Sequence, residues 1–188
     1  MHIHGDYVMM RPQNVLFGHL PEAVTVSGSK YPVNTGFRTW LLAGDIMKSD
    51  EAIQRKLPKL FELCYKGSRP QNDGLALSGI MNFYKNAFPG YKSGGGSVFS
   101  ADFDGQVLYS GFMKCFGIDL SANDIHWYRF APLLYELGDC TFSKIMSVRS
   151  ADCHNIPKGA EKHLAKLKSA FAIPGCDSDF ADSLASLF

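Results

Sequence analysis

The stretch NDIHWYRFAPLLYEL, residues 123–137, places a histidine, an arginine, a tryptophan and two tyrosines within a few turns of chain. Three readings compete: a catalytic site, a nucleic-acid surface, or the buried face of a helix. Wound as a helix, Ile125, Tyr128, Phe130, Leu133, Leu134 and Leu137 cover a wide apolar sector. Trp127 lies beside Phe130 and Leu134, while His126, Arg129 and Glu136 fall nearer the edges. A helix apolar on nearly every side is a buried one. A nucleic-acid platform sets several cations beside its stacked rings, and here there is one arginine. The stretch therefore predicts a core helix of a bundle, with Pro132 marking a kink or a restart.

The neighbouring segments extend that pattern in both directions. EAVTVSGSKYPV, residues 22–33, alternates apolar and polar side chains around Ser27-Gly28-Ser29-Lys30, the signal of a β-hairpin. Pro32 makes its second strand short or peripheral. Asn34 or Thr35 is expected to cap a helix through GFRTWLLAGDIMKS. A second helix fits Ile53, Leu57, Leu60 and Cys64, with Pro58 as a kink or a break and Gly67 as a stop. LALSGIMNFYKNAF, residues 75–88, reads as a third. Further on, Phe103, Val107, Leu108, Phe112 and Phe116 form one stripe closed by Gly117. Ser121 and Asp124 have capping-box spacing ahead of the opening stretch, and Thr141 is expected to cap TFSKIMSVRS. Ala160, Leu164, Leu167 and Phe171 line one face of the clearest amphipathic helix, with Lys158, Lys162, Lys166 and Lys168 elsewhere.

The predicted fold is mainly α, a helical bundle with a small N-terminal β-hairpin. Residues 1–19 read as an extension, 20–89 as hairpin plus helices, and 98–174 as a second helical part. Between them, residues 90–97 read as a flexible linker, because the run Gly94-Gly95-Gly96 disfavours regular structure. No Gly-Lys-Ser/Thr follows it at the spacing of a phosphate loop. Residues 175–188 form an acidic tail with apolar Phe180, Leu184 and Phe188.

Composition narrows the function. A net charge of +1 supplies no strong field for nucleic acid or anionic lipid, so neither is expected as a partner. No apolar run approaches the roughly 20 residues that span a bilayer. The five cysteines, Cys64, Cys115, Cys140, Cys153 and Cys176, contain no CxxC pair, so no structural zinc is expected and free thiols are. Adjacent Cys153-His154 is the one candidate for a hydrolase or host-directed effector, but no third, orienting group is evident. His2 and His4 read as incidental, and Asp102, Asp104, Asp119 and Asp124 as helix-end carboxylates. No catalytic residue, metal or cofactor is therefore assigned.

YPVNTGFRTWL, then FGIDLSANDIHWYRF and LGDCTFSKIMSVRSADCHNIPKG, resemble the bacteriophage gp-fifteen family over about residues 20–173. Two departures stand out. The family's usual Asp-Ala pair reads Asp104-Gly105 here, and the first dozen residues look added, with Met9 or Met10 as alternative starts. The resemblance implies a gene of the tail region of a long-tailed phage or prophage. Such genes commonly encode tail assembly chaperones, which bind the tape measure and the major tail tube protein in the host cytoplasm and leave before the virion is complete. A structural tail component is the alternative. Trp40, Trp127 and Arg129 would be interface anchors if exposed and plain core if buried, core being the reading preferred for the tryptophans. Phe180, Leu184 and Phe188 would be helix-in-groove contacts, and self-association is left open.

Overall fold

Ser27 and Gly28 both take positive φ, 50° and 80°. This is the backbone that a two-residue type I′ turn demands, and it suits the twist of the strands on either side. The turn is therefore tighter than the four residues expected. It joins β1 (Ala23–Val26) to β2 (Ser29–Pro32) as an antiparallel pair, in a register that sets Val26 opposite Ser29 and Ala23 opposite Pro32. The computed structural model describes residue 16 and residues 18–88, 99–151 and 160–173. The expected linker over 90–97 and the tail over 175–188 lie outside the described residues, as does most of the expected N-terminal extension.

Seven helices follow among the described residues: α1 (Phe37–Lys48), α2 (Ile53–Cys64), α3 (Asp73–Asn86), α4 (Ala101–Phe116), α5 (Trp127–Tyr135), α6 (Thr141–Ser150) and α7 (Ala160–Ala170). The mainly helical fold with one small N-terminal hairpin is thus present. α1 is its centre, packed against α2, α4 and α5, while β1 lies on α3, α4 on α6, and α6 on α7. Pro58 and Pro132 each stay inside one continuous helix, so neither divides its element.

Several helix starts differ from the expected ones; at α1 a tertiary bond replaces the local signal, and elsewhere a different nearby residue caps. Neither Asn34 nor Thr35 caps α1. Gly36 holds the cap position, and the first amide, Phe37 N–H, donates to Ile125 C=O at 2.8 Å. α3 begins earlier than expected, because the Asn72 side chain accepts from Leu75 N–H. α5 begins later, at Trp127. Ser121 and Asp124 do not open it; the Nδ1 of His126 does, accepting from Tyr128 N–H at 3.1 Å. The cap of α6 is Cys140, not Thr141. At its other end α1 is closed by Lys56, which is buried and donates to the carbonyls of Met47 and Ser49. Burial lowers the pKa of Lys56, against the opposing pull of Asp50 and Glu51.

The core is a chain of rings. Trp40 stacks on Phe83 at 4.5 Å, Trp127 on Tyr84 at 5.1 Å, Phe37 on Phe130 at 4.6 Å, and Phe130 on Phe112 at 4.9 Å. This sequence of contacts ties α3, α1, α5 and α4 together. Truncating such a ring to alanine typically costs about 3–5 kcal/mol.

Candidate partner-binding surface

The two segments quoted for the early and late motifs meet in space. Trp127 N–H donates to Thr35 C=O at 2.7 Å, and with the Phe37–Ile125 bond this makes a short antiparallel bridge at Gly36 and His126. Around it, Asn34 N–H donates to Cys64 C=O, its side-chain amide donates to Leu63 C=O, and its own carbonyl accepts the Trp40 indole N–H at 2.7 Å. Arg38 donates to Leu120 and Ser121 carbonyls and pairs with Asp124 at 3.5 Å. The motif residues here are the joints of the fold.

That placement decides most of the expected anchors. Trp40 and Trp127 are both fully buried. Each indole N–H is satisfied internally, the second by Tyr84 C=O at 3.1 Å, so the condition for either to be an interface anchor is not met. They are core. Burial pushes the neighbouring Tyr84 and Tyr128 hydroxyls up to about 12, which keeps them neutral. Arg129 is exposed at the surface of α5. Phe180, Leu184 and Phe188 lie outside the described residues, as do Cys153, His154, His2 and His4.

The carboxylates named from the sequence serve separate structural tasks. Asp119 accepts from the Ser121 hydroxyl and amide, and these bonds hold its pKa below the usual carboxylate range. Asp102 lies in the first turn of α4. Asp104 is more than a helix-end charge. It accepts from Ser100 N–H and meets Arg149 of α6 in a two-pronged pair at 2.6 and 2.9 Å, with both side chains buried. Arg149 Nε also donates to Phe171 C=O, which fastens the end of α7. Among the described residues no group of three or more His, Cys, Asp or Glu side chains could hold a metal.

With Asp104 turned inward, α4 buries Asp104, Leu108, Gly111 and Phe112. Of the expected stripe, Val107, Leu108, Phe112 and Phe116 face the core, but Phe103, expected inside, is 54% exposed. Tyr109 and Met113, one turn apart on the same outer side, are 38% and 41% exposed. Beside them runs a shallow groove of about 240 Å³ between α1 and α4, lined by Phe37, Arg38, Leu41, Gly105, Leu108 and Tyr109 among others. Leu42, the next residue along α1, is also largely exposed. A wider cleft of about 670 Å³ lies by α2, but Arg69 already covers Phe61 on its floor at 4.3 Å and pairs with Asp73 at its rim. Arg38 likewise lies over Phe37 at 4.7 Å in the α1–α4 groove; what sets that groove apart is exposed Tyr109 on its wall with Met113 one turn on. The residues that form it were missed in the sequence because apolar side chains occur all round α4, and only the Asp104–Arg149 pair tells inside from outside.

Residues 16–173 match the family described as Bacteriophage Gp15 protein. The chain belongs to that family. The match covers all the elements described above, so the family's extent and the helical bundle with its hairpin coincide. No curated protein and no solved structure matches the chain. As a family member it is a bacteriophage protein, and no helix among its described residues is long and apolar enough to cross a membrane.

Proposed function

We propose that this phage protein is a non-enzymatic tail assembly chaperone, acting in the cytoplasm of the bacterial host. It holds a helical segment of the tape measure protein, and the major tail tube protein is recruited to that complex. The observation that carries this reading is the outer face of α4, where Tyr109 and Met113 stand exposed and Tyr109 lines the α1–α4 groove. Exposed apolar side chains that rim a groove mark sites where a partner's apolar face is taken up. An amphipathic helix laid into such a groove offers anchors at every third or fourth residue, and Tyr109 and Met113 stand at that spacing. Arg38 on the groove wall is 48% exposed and adds a cation for an acidic flank on the partner.

The test is co-expression with the tape measure and tail tube proteins of the same phage, followed by affinity capture and light-scattering chromatography. The expected result is a stable complex that keeps the tape measure soluble, together with absence of the protein from purified virions. A protein that stays alone in solution would overturn the reading. Persistence in the finished particle would point instead to a structural tail component.

A further inference from the structure

We propose that Cys115 and Cys140 are a reactive dithiol pair that closes to an intramolecular disulfide on exposure to a low-molecular-weight disulfide. α4 and α6 pack together, and Cys140 stands at the cap of α6. Its sulfur lies against α4 at Gly111, where a methyl group would sit 3.3 Å from Sγ. Cys115 is one turn further along α4 from Gly111, on the same face, where side chains four residues apart are neighbours. The Cys115 thiol is near enough to the Cys140 sulfur to help lower its pKa. The close approach that lets Cys140 reach this position exists because residue 111 has no side chain.

The two sulfurs differ in a way that assigns them roles. Cys115 is half-buried and open to a reagent, whereas Cys140 is buried. Burial pushes the Cys140 thiol up, but the Ser143 and Phe142 amides, the Ser143 hydroxyl and the Cys115 thiol together outweigh it and hold the group below the ordinary thiol value. A thiolate at a helix N-terminus is stabilised in this manner. Cys64 makes the internal contrast: it has no exposure, and burial alone pushes it up to about 12, which leaves it inert.

The steps balance without any further reagent. The Cys115 thiolate attacks one sulfur of the small disulfide RSSR, forming Cys115–S–SR and releasing RS⁻. The Cys140 thiolate then attacks Cys115 Sγ, forming the Cys115–Cys140 bond and expelling the second RS⁻. The two protons lost by the protein thiols are taken up by the two released thiolates. The protein is oxidised by two electrons, and one RSSR is reduced to two RSH.

The experiment treats the full-length protein with oxidised glutathione under native conditions, blocks the remaining thiols, and maps peptides without reduction. The expected result is a linked peptide joining Cys115 to Cys140, the loss of two titratable thiols and a mass lower by about 2 Da. Cys140→Ser is expected to stall as a glutathione adduct on Cys115. Two outcomes overturn the proposal: Cys115 and Cys140 both remain free, or either is linked instead to Cys64, Cys153 or Cys176. Mapping of the unaltered protein decides between these outcomes even if Cys140→Ser does not fold.

Discussion

The ring core at α1, α3 and α5 and the outer face of α4 are both rich in large apolar side chains, yet they are provided for in opposite ways. In the core, Trp40 and Trp127 have no exposure, stacked neighbours, and a carbonyl for each indole N–H. On α4, Tyr109 and Met113 are exposed beside an open groove, and Phe103 is exposed on the side toward Arg149. A tryptophan in the sequence therefore marks the fold here, while a tyrosine and a methionine mark the surface proposed for a partner. The difference lies in whether a side chain's contacts are complete within one chain.

The largest expected effect lies in the core. Trp127→Ala should destabilise the protein by about 4 kcal/mol in urea unfolding, whereas Arg129→Ala, two residues away but exposed, should stay within about 0.5 kcal/mol. Equal costs for the two would break the contrast between core and surface. Next comes the pair that sets the rotation of α4. Arg149→Ala leaves the Asp104 carboxylate buried without its partner and should cost about 3 kcal/mol. Replacing both residues together with leucine and methionine should recover most of that loss, since the pair's desolvation is then avoided.

A smaller effect is expected from pH. His126 uses both ring nitrogens: Nδ1 caps α5 and Nε2–H donates to Pro21 C=O at 3.1 Å. Burial lowers its pKa from 6.5, with Arg129 acting in the same direction and the Pro21 bond and Glu22 opposing. A histidine whose folded pKa is depressed contributes stability that is full above the unfolded value. That stability is lost as pH falls from 6.5 through the folded pKa. About 1 kcal/mol, the worth of a helix cap, should disappear over this window in unfolding curves, and His126→Asn should flatten the dependence because asparagine caps without titrating. Smaller again is Gly105→Ala on the groove wall. Nothing lies within 4 Å of the added methyl, so the helix should gain roughly 0.7 kcal/mol while the groove becomes shallower. A rise in thermal midpoint with weaker partner capture would separate the groove's role from the fold's.

The elements themselves were legible because their signals are local. Alternation around Ser27-Gly28 announces the hairpin, and the apolar surround of residues 123–137 announces a core helix. What could not be read depends on partners distant in the chain. Asp104 and Arg149 have no periodic relation, so nothing local told that α4 turns its carboxylate inward and Phe103 outward. His126 is a poor cap by residue type and serves as one with its other ring nitrogen held by Pro21, 105 residues away. Conversely, Asn34 has the side chain of a good cap, but Leu63 C=O takes its amide, and α1 is opened by a bond to Ile125 instead. α7 shows the limit of periodicity most plainly. It is the clearest amphipathic pattern in the sequence, yet it buries no residue fully and docks only its partly covered side on α6.

The central claim is that the outer face of α4 receives the tape measure. The most direct measurement is the affinity of the Tyr109→Ser/Met113→Ser double variant for that protein, compared with the unaltered chain in the same capture assay. Stability should stay within about 0.5 kcal/mol per site, because both side chains are at the surface. Binding should fall at least tenfold, as expected when central apolar anchors are removed, that is by about 1.4 kcal/mol or more. Unchanged binding at unchanged stability would contradict the claim and move the partner surface away from α4.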